Sequence, residues 1–333
     1  MKRITDELIE KFYRLLSPCR VCPRKCKVDR LKGEIGNCRA GLGVHPVRNS
    51  GWTPDTMRTA AVSNGVKISS YHQHFGEEPP LVGRYGSGTI FFTHCNLHCV
   101  YCQNCEISQQ GMGRAVSLED LSQMMLDLQD LGCHNINWVT PTPWVPQIVK
   151  ALKIARENGL NIPIVYNSGG YESVETLKLL EGIVEIYMPD IKYSDNKCAE
   201  KYSKVDDYWD IVRPALTEMH RQVGDLVVEN GIAKKGLLIR HLILPNDIAG
   251  SKKCFEFIAN ELSKNTVVNV MAQYYPTHIA GRFPEISRRI TTKEYLKALE
   301  NLKKLGLEAG FRQTMDTIFR TTVPEWTDDL KEE

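Results

Sequence analysis

No stretch of this sequence stays uncharged and apolar for the roughly 18 residues that a membrane-spanning helix takes, so no span is expected. The opening segment, MKRITDELIEKF, likewise lacks the apolar core of a secretory leader, since acids stand where that core would be. These two absences predict a cytoplasmic protein. Charge of one sign is not in excess either. Forty-two basic residues against 40 acidic ones leave a formal charge of +2, with no long basic run, which argues against a nucleic-acid partner and for a small molecule or another protein. Internal repeats and low-complexity tracts are missing, and a composition 42% hydrophobic and 25% charged is that of an ordinary globular chain. Cysteine, by contrast, is plentiful, at 11 in 333 residues. A reducing cytosol does not sustain a disulfide framework, so clustered cysteines point to metal ligation.

Two textures divide the chain. Residues 1–80 open with an amphipathic helix, TDELIEKFYRLL, then become rich in Cys, Gly, Pro and Arg with little periodicity, the mark of a small, loop-rich N-terminal module. From 81 to 290, short apolar runs alternate with helical patterns. GTIFFTH, INWVTP, IPIVYNS, VEIYMPDIK, LLIRHLILP and VVNVMAQYYP read as six strands, each followed by helix or loop, with one longer helical region at about 196–223. Such alternation builds a parallel sheet with crossover helices. Six units rather than eight predict an α/β fold of the open, partial (β/α)6 barrel type. The last part, 291–333, holds a final helix, TKEYLKALENLKKLG, and a tail. In these folds ligands bind at the carboxyl ends of the strands.

Directly after the first of the six strands comes CNLHCVYC, that is Cys95-x3-Cys99-x2-Cys102. Three thiolates on one loop at a strand's carboxyl end can hold three corners of a [4Fe-4S] cubane and leave the fourth iron without a protein ligand. A partial zinc site or inert core thiols are the alternatives, although the spacing is uncommon for zinc. Cys105 follows at the next x2 interval, so a fully ligated electron-transfer cluster on Cys95, Cys99, Cys102 and Cys105 is a rival. The N-terminal module carries a second set, Cys19-x2-Cys22-x3-Cys26-x11-Cys38. These four can meet at a zinc ion or an auxiliary [4Fe-4S] cluster, or be scattered reduced thiols. A module so poor in apolar runs gains folding free energy from a bound metal. Arg20, Arg24, Lys25 and Arg30 can offset thiolate charge or simply be solvated.

Polar residues gather at the other strand ends. The second strand ends in Thr140-Pro141-Thr142 and the third in Asn167-Ser168-Gly169-Gly170, whose backbone suits close approach to a ligand, unless it is only a turn into a helix capped by Ser173. The fourth ends with Asp190 and Lys192 on one face at i and i+2, able to hold the polar groups of a ligand. Arg240 lies in the fifth and His278 follows the sixth, and either can be purely structural.

The triple-cysteine spacing, with the aromatic Tyr101 before its last cysteine, resembles the signature of the radical S-adenosylmethionine (SAM) superfamily. From about Ser17 to residue 280 the chain further resembles the pyruvate formate-lyase activating enzyme-like proteins of the PflX type, close to the radical SAM member of the AmmeMemoRadiSam group. SPCRVCPRKCKVDR, HFGEEPP, GSGTIFF, CNLHCVYCQNCEIS and VTPTP carry that likeness, with Cys105 standing where an aromatic residue is more usual. The resemblance implies an oxidoreductase in which SAM chelates the open iron and is reductively cleaved to a 5'-deoxyadenosyl radical that takes hydrogen from a substrate. It also implies a low-potential donor such as flavodoxin or ferredoxin. Tyr101 is implied near the adenine. Thr140 and Thr142 replace a Gly-Gly-Glu that many members use for the SAM amino group, and Asn167, Ser168, Asp190, Lys192, Arg240 and His278 are candidates for the rest of the pocket. Glycyl-radical activating enzymes have a similar Asp-x-Lys at that strand end. Three functions follow: activation of a glycyl-radical enzyme, radical modification of a small molecule or other polypeptide, or electron carriage without SAM cleavage.

Overall fold

The computed structural model describes residues 2–40 and 65–313, with the backbone of 326–327. Its contacts divide into two units. The first comprises Met1–Phe75, Leu81–Asn96 and Asn104–Glu185; the second comprises Gly76–Pro80, Leu97–Gln103 and Ile186–Glu333.

The first unit begins with α1 (Asp6–Arg14), where the Thr5 hydroxyl accepts from the Leu8 N–H, Asp6 and Glu7 occupy the electropositive first turn, and Leu8 and Phe12 are buried one turn apart. Its sheet contains β1 (Gly65–His74), β2 (Ser87–Phe92), β3 (Arg114–Ser117), β4 (Ile136–Val139) and β5 (Ile164–Ser168), in the order β3-β1-β2-β4-β5. β2, β4 and β5 are parallel, and their register lines up Ile90, Trp138 and Tyr166, each no more than 1% exposed. That row is the centre of the unit's core. Crossovers are made by α2 (Leu118–Asp130), opened by a capping box between Ser117 and Asp120, and α3 (Val145–Glu157), with α4 (Val174–Leu180) after β5. β1 falls in the segment expected to be loop-rich. Antiparallel pairing with both β2 and β3 makes it a strand, with Val66 and Ile68 turned inward.

The second unit holds β6 (Ile186–Pro189), β7 (Val227–Glu229), β8 (Ile232–Leu242), β9 (Val267–Met271), β10 (Arg312–Gln313) and β11 (Trp326–Thr327). β6, β8, β9 and β10 run parallel in that order, while β7 pairs antiparallel with β8 and β11 with β10. Its helices are α5 (Asn196–Ser203), α6 (Tyr208–Val223), α7 (Ser251–Phe257) and α8 (Thr292–Lys304). The single helical region expected at 196–223 is thus two helices. Lys204, at φ +60°, turns left-handed and ends the first.

All six expected strands form, three in each unit and parallel within it, giving a mixed α/β fold with a parallel-dominated sheet. The tail after residue 313 lies outside the described residues except for 326–327. Among the described residues no helix is long and apolar enough to cross a membrane.

Candidate metal and cofactor site

The loop after β2 carries Cys95, and its start is held tightly. His94 has φ +68°, and its buried ring lies against Gly111, at φ +69°, where a Cβ would come within 2.6 Å of His94 Cε1. Burial, aided by Lys67 and Arg30, pulls His94 down to about 4, so the ring is neutral at pH 7. Asn96 donates through Nδ2 to the Tyr171 carbonyl (2.6 Å), and its own carbonyl accepts from Arg24 Nε (2.9 Å). Arg24 belongs to the N-terminal module, and two more bonds fasten that module nearby. Arg30, 1% exposed and lying over Trp144, donates to the Pro143 carbonyl (2.8 Å), and Thr176 donates to the Val21 carbonyl (2.7 Å). The cysteine-rich module therefore sits on the loops that follow β2, β4 and β5, at the carboxyl ends of those strands.

Within it, Cys19, Cys22 and Cys38 are buried and Cys26 is half-buried, its Sγ accepting from the Asn37 N–H (3.3 Å). Burial pushes the Cys22 thiol well up, with Cys38 and Cys19 adding to the effect, and raises Cys38, which senses Cys19 and Cys26 as well. Among the described residues no three His, Cys, Asp or Glu side chains converge on one metal-ion position. A cubane distributes its thiolates over separate corners and does not call for such convergence. None of the 11 cysteines is in a disulfide.

At the ends of β4 and β5 the structure adds a residue that the sequence reasoning missed. Glu172 is buried, accepting from Thr142 Oγ1 (2.6 Å) and Tyr166 Oη (3.1 Å), with Ser168 as a further donor. Burial outweighs those donors and pushes its carboxyl up to about 7. Thr142 and Ser168 are thus brought together on one carboxylate. Thr140 adopts φ +58°, a costly backbone for a β-branched residue, and its N–H donates to the Asn167 carbonyl (2.8 Å). Gly170, at φ +75°, supplies the permissive turn, while Ser173 heads α4 without a side-chain capping bond. The available signal was an acid four residues beyond Ser168 in a strand-end turn.

In the second unit, Cys99 and Cys102 lie in the segment Leu97–Gln103. Cys99 is buried, with its Sγ 3.0 Å from Ser203 Oγ. Burial raises the thiol to about 11 against the pull of the neighbouring Lys192 ammonium. Ser203 Oγ lies 2.8 Å from Tyr193 Oη, which lies 2.6 Å from Tyr101 Oη, so the aromatic residue of the cysteine motif ends a buried chain of hydroxyls. Asp190 and Lys192, expected on one face as groups for a ligand, form an ion pair with each other. Burial lowers the Lys192 ammonium's affinity for its proton, but Asp190 and Cys99 outweigh that and hold it well above an ordinary lysine. Arg240, beside Asp190 in a β-bridge, has its guanidinium engaged by Glu77 and by the fully buried Glu78, which also accepts from Asn269 Nδ2 (2.6 Å). Burial would raise Glu78, yet Arg240 keeps it below the usual carboxylate range. His278 is exposed, at φ +52°, and the next residue ties its loop to the cysteine segment through Ile279 N–H to Val100 carbonyl (3.1 Å). Cys105 opens the short helix Cys105–Ser108 in the first unit.

The donor set suits an iron-sulfur cluster, with reduced thiols on one loop and a hydroxyl and an ammonium beside Cys99 to offset thiolate charge. A model of the Radical SAM superfamily matches residues 89–248, from within β2 to just beyond β8. An uncharacterized protein of Methanocaldococcus jannaschii, MJ0674, is 33% identical over 315 residues, covering 92% of this chain and 80% of its own. A second from the same organism, MJ0808, is 24% identical over 305 residues, covering 88% and 79%. Among solved structures, HydG, a maturase of the [FeFe]-hydrogenase, superposes with a TM-score of 0.44 at 13% identity over 66% of this chain, which spans only 48% of HydG. Methylornithine synthase (PylB) gives 0.43 at 16% over 68% of this chain and 64% of its own. The cysteine loop lies inside the matched span, directly after the strand that opens it, and on these grounds the chain belongs to the radical SAM superfamily.

Proposed function

We propose that Cys95, Cys99 and Cys102 hold the [4Fe-4S] cluster that membership of this superfamily implies, and that the chain uses SAM and a reductant to take a hydrogen atom from a substrate. When bound, such a cluster supplies one electron through an open iron and cleaves the SAM sulfonium bond to release a 5'-deoxyadenosyl radical. The observation that carries this reading is the burial of Cys99 between the Ser203 hydroxyl and the Lys192 ammonium at the carboxyl end of β6. The residues around it bind and orient. Lys192, paired with Asp190, offers a fixed positive charge to a carboxylate, and Tyr101 is buried with its hydroxyl against that of Tyr193. Cys19, Cys22, Cys26 and Cys38 are read as a second metal centre, an auxiliary cluster before a single zinc ion, supported by their shared electrostatics and by Arg30 near Cys38.

The test is anaerobic reconstitution with iron and sulfide, then reduction with dithionite in the presence of SAM. Release of 5'-deoxyadenosine is expected, and Cys99→Ala should abolish it. Reduced, cluster-loaded protein that releases none would sink the reading and leave an electron carrier. The Asp190 and Lys192 pair, like the wider PflX-type resemblance, favours a glycyl-radical enzyme as the substrate. The N-terminal module docked at the strand ends favours a smaller one, because an activase must admit a protein loop. Deuterium transfer from an α-labelled glycyl-radical partner into 5'-deoxyadenosine would decide for the activase.

A further inference from the structure

Resting on the assignment of Cys99 as a cluster ligand, we propose that Ser203 is a positioning residue for that thiolate. It donates a hydrogen bond that helps set the reduction potential of the cluster, and Tyr193 and Tyr101 fix the direction of the donation. The chain of contacts is short and buried throughout: Cys99 Sγ to Ser203 Oγ at 3.0 Å, Ser203 Oγ to Tyr193 Oη at 2.8 Å, and Tyr193 Oη to Tyr101 Oη at 2.6 Å. Each hydroxyl has one proton to give. A protonated thiol at Cys99 lets the chain run either way. A thiolate bound to iron has no proton and can only accept, so Ser203 must donate to sulfur, its oxygen must accept from Tyr193, and Tyr193 must accept from Tyr101. Ligation thereby orients three hydroxyls at once, and aligned donors of this kind polarise one another.

The backbone makes the contact hard to lose. The residues flanking Cys99 on either side both donate to the end of α5, His98 N–H to the Ser203 carbonyl (3.1 Å) and Val100 N–H to the Tyr202 carbonyl (2.8 Å). Two carbonyls that a helix C-terminus leaves without intrahelical partners are satisfied by the cysteine loop itself. The loop and the helix end are thus locked in register, with the hydroxyl of the last helical residue facing the sulfur. A donor to a cluster sulfur stabilises the reduced form more than the oxidised one, since the reduced form carries the extra negative charge. Lys192 also acts on Cys99 and Asp190 offsets it only in part, so the Ser203 hydroxyl adds a directed donor to that charge.

The full-length protein is reconstituted anaerobically as wild type, Ser203→Ala, Ser203→Thr and Tyr193→Phe. Iron, sulfide and the EPR spectrum of the reduced state are then measured as a function of applied potential. The change of EPR signal on adding SAM identifies the cluster with the open iron, and any second signal from the N-terminal module is an internal control. Ser203→Ala is expected to keep its iron while the SAM-responsive signal titrates at a more negative potential. At fixed potential its ratio of reduced to oxidised cluster should drop about tenfold, which for one electron is about 59 mV. Ser203→Thr should restore the wild-type value and Tyr193→Phe should shift it the same way by less. A Ser203→Ala cluster at the wild-type potential overturns the proposal. If that variant loses its cluster, Tyr193→Phe decides, a shifted potential supporting the proposal and an unshifted one overturning it. A SAM-responsive cluster that survives Cys99→Ala overturns the ligand assignment instead, and the role of Ser203 with it.

Discussion

Glu172 is a carboxyl whose chemistry departs from what its type suggests. Its carboxyl titrates near 4.5 in an unfolded chain and near 7 in the folded one, chiefly because of burial. Between those values the unfolded chain releases a proton that the folded one retains, so stability falls as pH rises through that window and levels off above it. At about 1.4 kcal/mol per unit, the loss is on the order of 3 kcal/mol. Glu172→Gln should remove this dependence. The difference in urea-unfolding free energy between variant and wild type should grow in the variant's favour from pH 4.5 to pH 7. A difference that is flat with pH would show that Glu172 is ionised throughout. The sequence marked its partners Thr142 and Ser168 as pocket residues. It did not mark the acid between them, because its place four residues beyond Ser168 does not tell that a tyrosine from β5 and a threonine after β4 will seal it.

At the scale of elements, the segment Gly76–Pro80 is tied to β8 by Arg240, and the HFGEEPP motif gains its physical meaning there. Glu77 and Glu78 enclose the guanidinium, and Glu78 is bonded in turn to Asn269 on β9. Replacing Arg240 by Met strands two buried carboxylates, at a cost of about 3–5 kcal/mol. The urea midpoint should fall accordingly, and adding Glu78→Gln should recover part of the loss. A change below about 1 kcal/mol would mean that water already reaches the pair. Arg240 was read from its strand position as either a pocket residue or a structural one. Its actual partners lie 162 and 163 residues away in sequence, a distance over which spacing carries no information. The same holds for the two helices, α5 and α6, read as one region. The left-handed Lys204 that divides them is not a glycine or proline and gives no warning in the sequence.

For the whole molecule, the predictions concern which cysteines carry metal. Cys105 opens a helical turn and is not required by the triple-cysteine motif, so Cys105→Ser should retain iron and sulfide and still respond to SAM. Loss of the cluster in that variant would point to a fully ligated, electron-carrying centre. Replacing Cys19, Cys22, Cys26 and Cys38 together by Ala should lower the metal content and leave the SAM response of the remaining cluster in place. Metal analysis then separates iron from zinc, and unchanged metal content would reduce the N-terminal set to plain thiols.

The alternation of strands and helices, the parallel α/β sheet and the superfamily are determined by sequence alone. Apolar periodicity and ligand spacing are local properties, and three cysteines within eight residues bring their chemistry with them wherever the chain goes. Only the tertiary structure decided that Ser203 meets Cys99, that Glu172 is buried with a raised pKa, that Arg240 is engaged by two glutamates, and that the N-terminal module rests on the strand ends. Those outcomes depend on desolvation and on partners drawn from distant elements, and neither exists until the chain has folded.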